Sequence, residues 1–592
     1  MNYYVSAAQS GPGDGSPDRP FSTISQAAAL ALPGDQVLVL PGVYREWVSP
    51  AQPRVSYRST EPGKAVITGA EPVTDWTPLA GGLWETVVPD ALFGDFRPFE
   101  TELSGDWYMS PEKHFHLGEV YLNGLPIGEA PADDRNAPGW RCEKVPGGLR
   151  LTVPFGGADP RQALVEINVR PHCFWPRQTG VDGIRVSGFT MNKAATQWAP
   201  PTALQQGLIG PHWSRGWIIE DNVISDSRCC GVSLGKPQEP QDNAWSRLGR
   251  KHGTQQERDA VLRAVHSGWS RQTVGSHTVR RNRIFRCGQA GIVGHLGGAF
   301  SLIEDNEIRD IRPPFDGAEI GGIKLHAAID TVLRRNVIHH CHRGLWLDWQ
   351  AQGTRVSGNL FYENQGAEDL FIEVSHGPTL VDNNIFLSDT AFRCISQGVA
   401  FVHNLCLGKL LAFRVEDRFT PYHFPHETAV AGFMTILGGD LQIYNNLFSG
   451  PAAGLSAFDS YPTPAEFEAA VKQARSPGDH SHLMLPVRAA GNGYLQGAAP
   501  WKKETAPALL TGEVTAGKAL TVPAEVLAQA KRLSCRPVCT ELLEPAFQPE
   551  QAFEAPDGSP LSVDRDFAGR IRSALSPAAG PFETEETVAL PL

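Results

Sequence analysis

The chain has 592 residues, far more than one compact domain usually holds, so it needs several domains or a repeat that grows along one axis. Hydrophobic residues make up 41% and charged residues 20%, which excludes wholesale disorder and leaves material for a large core. With 64 acidic against 52 basic residues the formal charge is −12, which disfavours nucleic acid and other polyanions as partners and fits a neutral ligand.

Strand-like sequence begins at once, in Tyr3-Tyr4-Val5, with no basic leader and no small-residue cleavage site. No apolar run approaches the ~20 residues needed to span a bilayer, so no membrane partner is expected and a cytoplasmic location is. The ten cysteines include several inside apolar runs such as Asn404-Leu405-Cys406-Leu407 and read as small buried hydrophobes. Nothing in the composition asks for a metal or a cofactor, and a homo-oligomer stays open.

After the first strand and a Gly/Pro/Asp loop, Ser22-Thr23 opens a helix carrying residues 27–32, followed by a strand over 36–40. A helix there is a natural lid for the open end of a stacked sheet. Residues 71–176 change texture to short alternating strands and turns and read as an inserted β-sandwich. From about Gly183 a phrase recurs: an apolar residue, a few polar ones, Asn, then one or two more ending in an apolar residue. Its asparagines are Asn222, Asn282, Asn306, Asn336, Asn359, Asn384, Asn404 and Asn446, at successive spacings of 60, 24, 30, 23, 25, 20 and 42. A coil of about 20–30 residues with two larger excursions explains these spacings and predicts an all-β, right-handed parallel β-helix. Stacked Asn side chains hydrogen-bond to one another along such a turn, so these residues are structural. The polar stretch 238–272 reads as a loop thrown out from one coil. Residues 1–70 are then the first part of the helix, 177–500 its main part, and 501–592 a capping tail with a helix over 524–533.

Neighbouring coils lie ~4.8 Å apart, so residues at equal distance from the ladder Asn share one column. Counting back 11, 10, 11 and 11 places from Asn306, Asn336, Asn359 and Asn384 gives His295, His326, Asp348 and Glu373. In Leu345-Trp346-Leu347-Asp348 the leucines point to the core, so Trp346 and Asp348 point outward, as do Lys324, His326, Phe371 and Glu373, and the column is expected on the surface. Carboxyl groups on adjacent rungs are separated by about the 5–5.5 Å of retaining glycosidases, which predicts attack by one acid and protonation of the leaving oxygen by the other. Trp346 and Trp349 read as an aromatic floor for a sugar face, and the histidines as donors to ring hydroxyls. Glu319, seven residues before His326, is either a loop cap or a second acid.

These motifs resemble the β-xylosidases of glycoside hydrolase family 120, which are retaining enzymes on a parallel β-helix interrupted early by a β-sandwich. The resemblance spans nearly the whole chain. Its specific parts are 194–213 (AATQWAPPTALQQGLIGPHW), 317–328 (GAEIGGIKLHAA), 344–353 (GLWLDWQAQG) and 369–378 (DLFIEVSHGP). It implies Asp348 as nucleophile, Glu373 as general acid/base and Glu319 as a further active-site glutamate. It also implies a xylo-oligosaccharide substrate bound by His295, His326, Trp346, Trp349, Gln350, His376 and Trp198, with Trp107 of the insert as an aromatic wall. Three other classes remain open: another exo-glycosidase such as an α-arabinofuranosidase, a polysaccharide lyase or epimerase on the same scaffold, and a binding module without chemistry. The lyase reading wants a basic proton abstractor and a calcium-binding acidic cluster, and besides the histidines Lys324 is the only base near the column.

Overall fold

The corner that carries each coil into the next strand is set by one asparagine. In the computed structural model, which describes residues 1–134 and 136–592, Asn306 donates from Nδ2 to Asn336 Oδ1 at 2.9 Å, Asn336 to Asn359 at 3.0 Å and Asn359 to Asn384 at 2.9 Å. The series continues through Asn404 and Asn446 to Asn492. Asn492 lies one coil beyond the ladder expected from sequence. From Asn336 to Asn492 each of these side chains also donates to a backbone carbonyl of the preceding coil, such as Leu333 for Asn359, which satisfies the second N–H of a buried amide. The residue before the Asn takes a left-handed conformation, as at Asp305, Arg335, Gly358 and Asn383, and this bend turns one strand direction into the next.

The chain forms two compact units, one of Met1–His252, Thr278–Gly297 and Asp310–Ile320, the other of Gly253–His277, Gly298–Arg309 and Gly321–Leu592. In the first, parallel ladders stack strands such as Ser56–Ser59, Arg185–Ser187 and Ile218–Glu220 in one sheet and Ala65–Thr68, Phe189–Asn192 and Val223–Ser225 in another. A third joins Gly207–Ile209, Cys230–Ser233 and Ala290–His295. The helix Ile24–Leu30 starts at Thr23, whose hydroxyl and Gln26 form a capping box. Two antiparallel sheets interrupt the coils. One runs through Ala70–Pro72, Val165–Asn168 and Val120–Leu122, the other through Leu83–Pro89, Gly148–Pro154 and Arg141–Val145. Trp76, Phe99, Trp140, Leu151 and Phe155 are buried between them and make the sandwich core.

In the second unit the same three-sheet coil repeats. Thr354–Ser357, Thr379–Asp382 and Val399–Val402 stack in one sheet, and Leu360–Tyr362, Ile385–Phe386 and Leu405–Cys406 in the next. The third contains Gly321–His326, Leu345–Asp348, Leu370–Glu373, Thr390–Ile395 and Lys409–Ala412. Ile338, Leu347, Phe361, Ile372 and Phe386 fill the interior. Two excursions leave these coils. The stretch read from sequence as a plain loop holds the helices Ala244–Leu248, in the first unit, and Gly253–His266, in the second. The gap between Asn404 and Asn446 holds an antiparallel hairpin, Val415–His423 with Val430–Ile436. The helix Ala524–Lys531 packs Val526, Leu527 and Ala530 in one apolar cluster with Leu447 and Leu495 of the last coils.

The ladder yields a direct test. Asn359→Ala leaves the backbone N–H and the side-chain amide of Asn336 without the oxygen both use, at 2.9 and 3.0 Å. At roughly 1–3 kcal/mol for each stranded buried donor, the variant should lose about 3 kcal/mol of stability, read as a lower urea midpoint. An unchanged midpoint would show that the ladder is decoration.

Candidate active site

Register brings the two acids together. In the parallel pairing of the third sheet His326 lies opposite Asp348 and Asp348 opposite Glu373, while Lys324, Trp346 and Phe371 form the parallel column two residues back. Leu325, Leu347 and Ile372 alternate with them and point into the core, so the acids face out of the β-helix, one rung or ~4.8 Å apart. Outward-facing did not mean exposed. Asp348 is 6% and Glu373 7% accessible, which corrects the expectation of a surface column. The physical reason lies in the Val415–His423 hairpin, which reaches over this face and brings Arg418 onto Glu373.

The two carboxyls have opposite surroundings. Asp348 Oδ2 receives Lys324 Nζ and His326 Nε2, each at 3.1 Å, while Oδ1 is buried and without a hydrogen-bond partner. Burial alone would push this carboxyl up. The His326 and Lys324 charges outweigh burial and hold Asp348 well below the usual carboxylate range. In return Asp348 raises the His326 imidazole above its ordinary value, although burial works the other way. Glu373 Oε2 accepts a hydrogen bond from Trp346 Nε1 at 3.0 Å and Oε1 receives the Arg418 guanidinium. Burial and then the negative charge of Asp348 push Glu373 up, and Arg418 and Lys324 offset only part of this. One carboxyl is therefore ionised and its neighbour inclined to keep a proton, the division that acid/base work between two acids requires.

The aromatic floor expected at Trp346 and Trp349 does not form. Lys324 Nζ sits 3.1 Å from the Trp346 ring centroid, Phe371 from the opposite rung stacks at 5.3 Å, and the Arg343 guanidinium lies over the same ring at 4.0 Å. Both faces are occupied, so Trp346 offers its N–H edge. Trp349 is buried in an apolar cluster with Phe371, Val374, Ile395 and Ile436. His376 is also engaged. Its Nε2 lies 2.9 Å from Thr420 Oγ1 and its Nδ1 3.1 Å from Gln397 Nε2, so it docks the hairpin rather than presenting a free edge.

Gln350 is different. His423 Nδ1 lies 2.9 Å from the Thr428 carbonyl, which can only accept, so Nδ1 carries the proton. Burial lowers the ring to about 4, keeping it neutral, yet the Gln350 atom 3.0 Å from its Nε2 is Oε1, and two acceptors cannot bond. The two ends of an amide are near-isosteric and the hydrogen-bond pattern decides between them. A neutral ring therefore calls for the reversed amide, with the NH2 toward His423 and the carbonyl at the buried end that has no hydrogen-bond partner.

The remaining expected residues belong to the first unit. His295 ends the strand Ala290–His295 and its Nδ1 donates to the Pro201 carbonyl. Trp198 is buried, donates from Nε1 to the Asp106 carbonyl at 3.0 Å and packs on Gly317, where an added Cβ would meet its ring at 2.2 Å. Trp107 is half-buried and its carbonyl accepts from Ala318 N at 3.1 Å, beside the buried Glu319. The functional side chain that sequence reasoning missed is Arg418. Its only sequence signal is the 42-residue gap between Asn404 and Asn446, which announces an excursion without saying where it folds back.

The family model described as the glycoside hydrolase 120 insertion domain matches residues 73–138, and one for a right-handed β-helix region matches residues 261–405. Among solved structures the chain is similar to XylC in complex with xylose, at 38% identity over 100% of both chains and a TM-score of 0.94. A structure named only as a glycoside hydrolase shares 10% identity, covering 85% of this chain and 97% of that one at a TM-score of 0.45. The GH136 lacto-N-biosidase from Eubacterium ramulus shares 14%, covering 69% and 64% at 0.32. Neither of these two likenesses is close enough to bear on function. No curated protein matches the chain.

Proposed function

The chain belongs to glycoside hydrolase family 120, and from that membership we propose that it is a retaining β-xylosidase in which Asp348 attacks and Glu373 moves the proton. The observation that carries the assignment is the pairing of Asp348 with Glu373 on adjacent rungs under opposite electrostatic surroundings. A rung spacing of ~4.8 Å suits the ~5–5.5 Å carboxyl separation of a double displacement and leaves no room for the water that inversion needs between acid and sugar. Asp348 Oδ1, free of hydrogen bonds, is the attacking atom, and Lys324 and His326 hold Oδ2 so that the free lone pairs face the anomeric carbon. Glu373 gives its proton to the departing oxygen and later takes one from water. The xylose bound to XylC supports a xylosyl unit as the group transferred, released from the non-reducing end of xylo-oligosaccharides. The Gln350 carbonyl supplies a buried acceptor for one sugar hydroxyl. Glu319 keeps the role of a further active-site glutamate by family resemblance alone. The cysteines, most of them buried, support work in a reducing compartment such as the cytoplasm, and no helix among the described residues is long and apolar enough to cross a membrane.

Asp348→Ala is expected to abolish release of nitrophenol from p-nitrophenyl β-xyloside, with azide restoring part of it as the α-xylosyl azide. Glu373→Ala should lose about 10²–10⁴-fold on xylobiose yet far less on aryl xylosides whose leaving group needs no proton, with azide giving the β-product. If Glu319→Ala shows that second pattern and Glu373→Ala does not, the proton donor has been misassigned.

A second outcome follows from the charges. In the free enzyme the productive form has Asp348 ionised and Glu373 protonated, so kcat/KM falls at low pH as Asp348 is protonated and at high pH as Glu373 ionises. Lys324→Met removes a cation 3.1 Å from Asp348, so the acid limb should rise by about one pH unit. An acid limb that stays in place would show that another group governs it.

A further inference from the structure

A proton donor held against an arginine is an unusual arrangement, because the cation favours the form that has already lost its proton. Arg418 reaches Glu373 Oε1 from the hairpin, while Glu416, two residues before it, pairs with Arg414 at 2.6 Å. The hairpin itself is anchored elsewhere. Thr420 Oγ1 meets His376, the backbone N–H and carbonyl of His423 are both held by Gln352, and Thr428 Oγ1 donates to the Trp269 carbonyl at 2.6 Å. Arg418 thus arrives on a frame that is fixed without it. The charged groups facing Glu373 are Asp348 from the neighbouring rung, Lys324 from the rung beyond it and Arg418 from the hairpin, whose adjacent Asp417 also acts on Arg418.

The two steps of a retaining reaction make opposite demands on Glu373. In the first, Asp348 is charged and Glu373 must hold a proton. As the C1–O bond to the leaving group breaks, that oxygen takes the proton and Asp348 Oδ1 bonds to C1, so the negative charge of Asp348 is gone. Of the groups around Glu373, the one that favoured its neutral form has been switched off, and the two cations remain. We propose that Arg418 is a positioning residue for the second half of the reaction, holding Glu373 as the carboxylate base that activates water. In that step Glu373 takes a proton from water, the water oxygen bonds to C1, and the C1–Oδ1 electron pair returns to Asp348, which restores the charge that favours a protonated Glu373. Trp346 keeps Oε2 in place throughout, so the turnover of charge occurs at Oε1 beside Arg418.

The inference rests on the assignment of Glu373 as acid/base, and the test separates the two. With 2,4-dinitrophenyl β-xyloside the departing group needs no proton, so the second step governs kcat. Arg418→Met, which keeps an unbranched stem and removes the charge, should give a burst of dinitrophenolate in stopped flow and then a steady rate about tenfold below the parent, while with xylobiose, whose leaving group does need the proton, the alkaline limb of kcat/KM moves up by about one pH unit. Arg418→Lys should stay within a few-fold of the parent with no shift. Glu373→Gln should lose the alkaline limb altogether. If Glu373→Gln retains it, the acid/base assignment falls and the inference with it. If Glu373→Gln loses that limb but Arg418→Met shows neither slower turnover nor a shifted limb, or Arg418→Lys behaves as Arg418→Met does, the assignment stands and the role given to Arg418 is wrong.

Discussion

Two like charges side by side on adjacent strands repel, and burying them makes the repulsion worse. The arrangement around Asp348 and Glu373 answers that one constraint. It does so asymmetrically, with Lys324 and His326 both on one oxygen of Asp348 and a neutral indole N–H with a single half-exposed guanidinium on Glu373. Had the cations been shared evenly, both acids would ionise and no proton would be available for a leaving group. The asymmetry comes from the sheet register: Lys324 and His326 precede Asp348 by one rung and stand two rungs from Glu373.

The β-helix alone leaves such a pair open to water, and the excursions close it. The hairpin over 415–436 is tied at its tip, where His426 lies 3.0 Å from Asp330 and 3.1 Å from Glu554, and Asp330 also takes Arg271 from the excursion over 253–277. Asp330 is buried, and burial lifts its carboxyl to about 6 despite these partners. One carboxylate at a coil corner thereby gathers two insertions and the C-terminal tail. The paired acids stand on the periodic coils, and parts of the chain that have no period close over them.

How far this could be read from sequence follows the same division. The ladder asparagines locate rungs to the residue, and counting from them puts Asp348 beside Glu373 because a parallel sheet has one register. Asn492 escaped because small residues, Ala489, Ala490, Gly491 and Gly493, surround it in place of the apolar residues that mark the phrase. Burial of the pair was misjudged because alternation reports which way a side chain points from its strand and nothing about what folds over it. Trp346 misled for a related reason: an outward tryptophan beside an acid looks like a sugar platform until its neighbours on both rungs are known, and here they are Lys324 and Phe371. Arg418 had no periodic signal at all, since a hairpin between coils obeys its own turn geometry. The helices inside 238–272 were hidden by polar composition, which suits an exposed helix and a loop equally.

Lys324 links the two halves of the site in a way that pairwise contacts understate. Its ammonium touches Asp348 and also lies over the Trp346 ring, whose N–H holds Glu373. A cation on an indole face draws electron density from the ring and makes the N–H a stronger donor, and hydrogen bonds in series strengthen one another at low dielectric. The same charge that keeps Asp348 ionised therefore also steadies Glu373 whenever it becomes a carboxylate. In the proposed reaction the esterification of Asp348 takes the anionic partner from Lys324, whose field then bears more fully on the indole and on Glu373. On that proposal Glu373, as the base of the second step, is supported from both of its oxygens, by Arg418 directly and by Lys324 through the tryptophan.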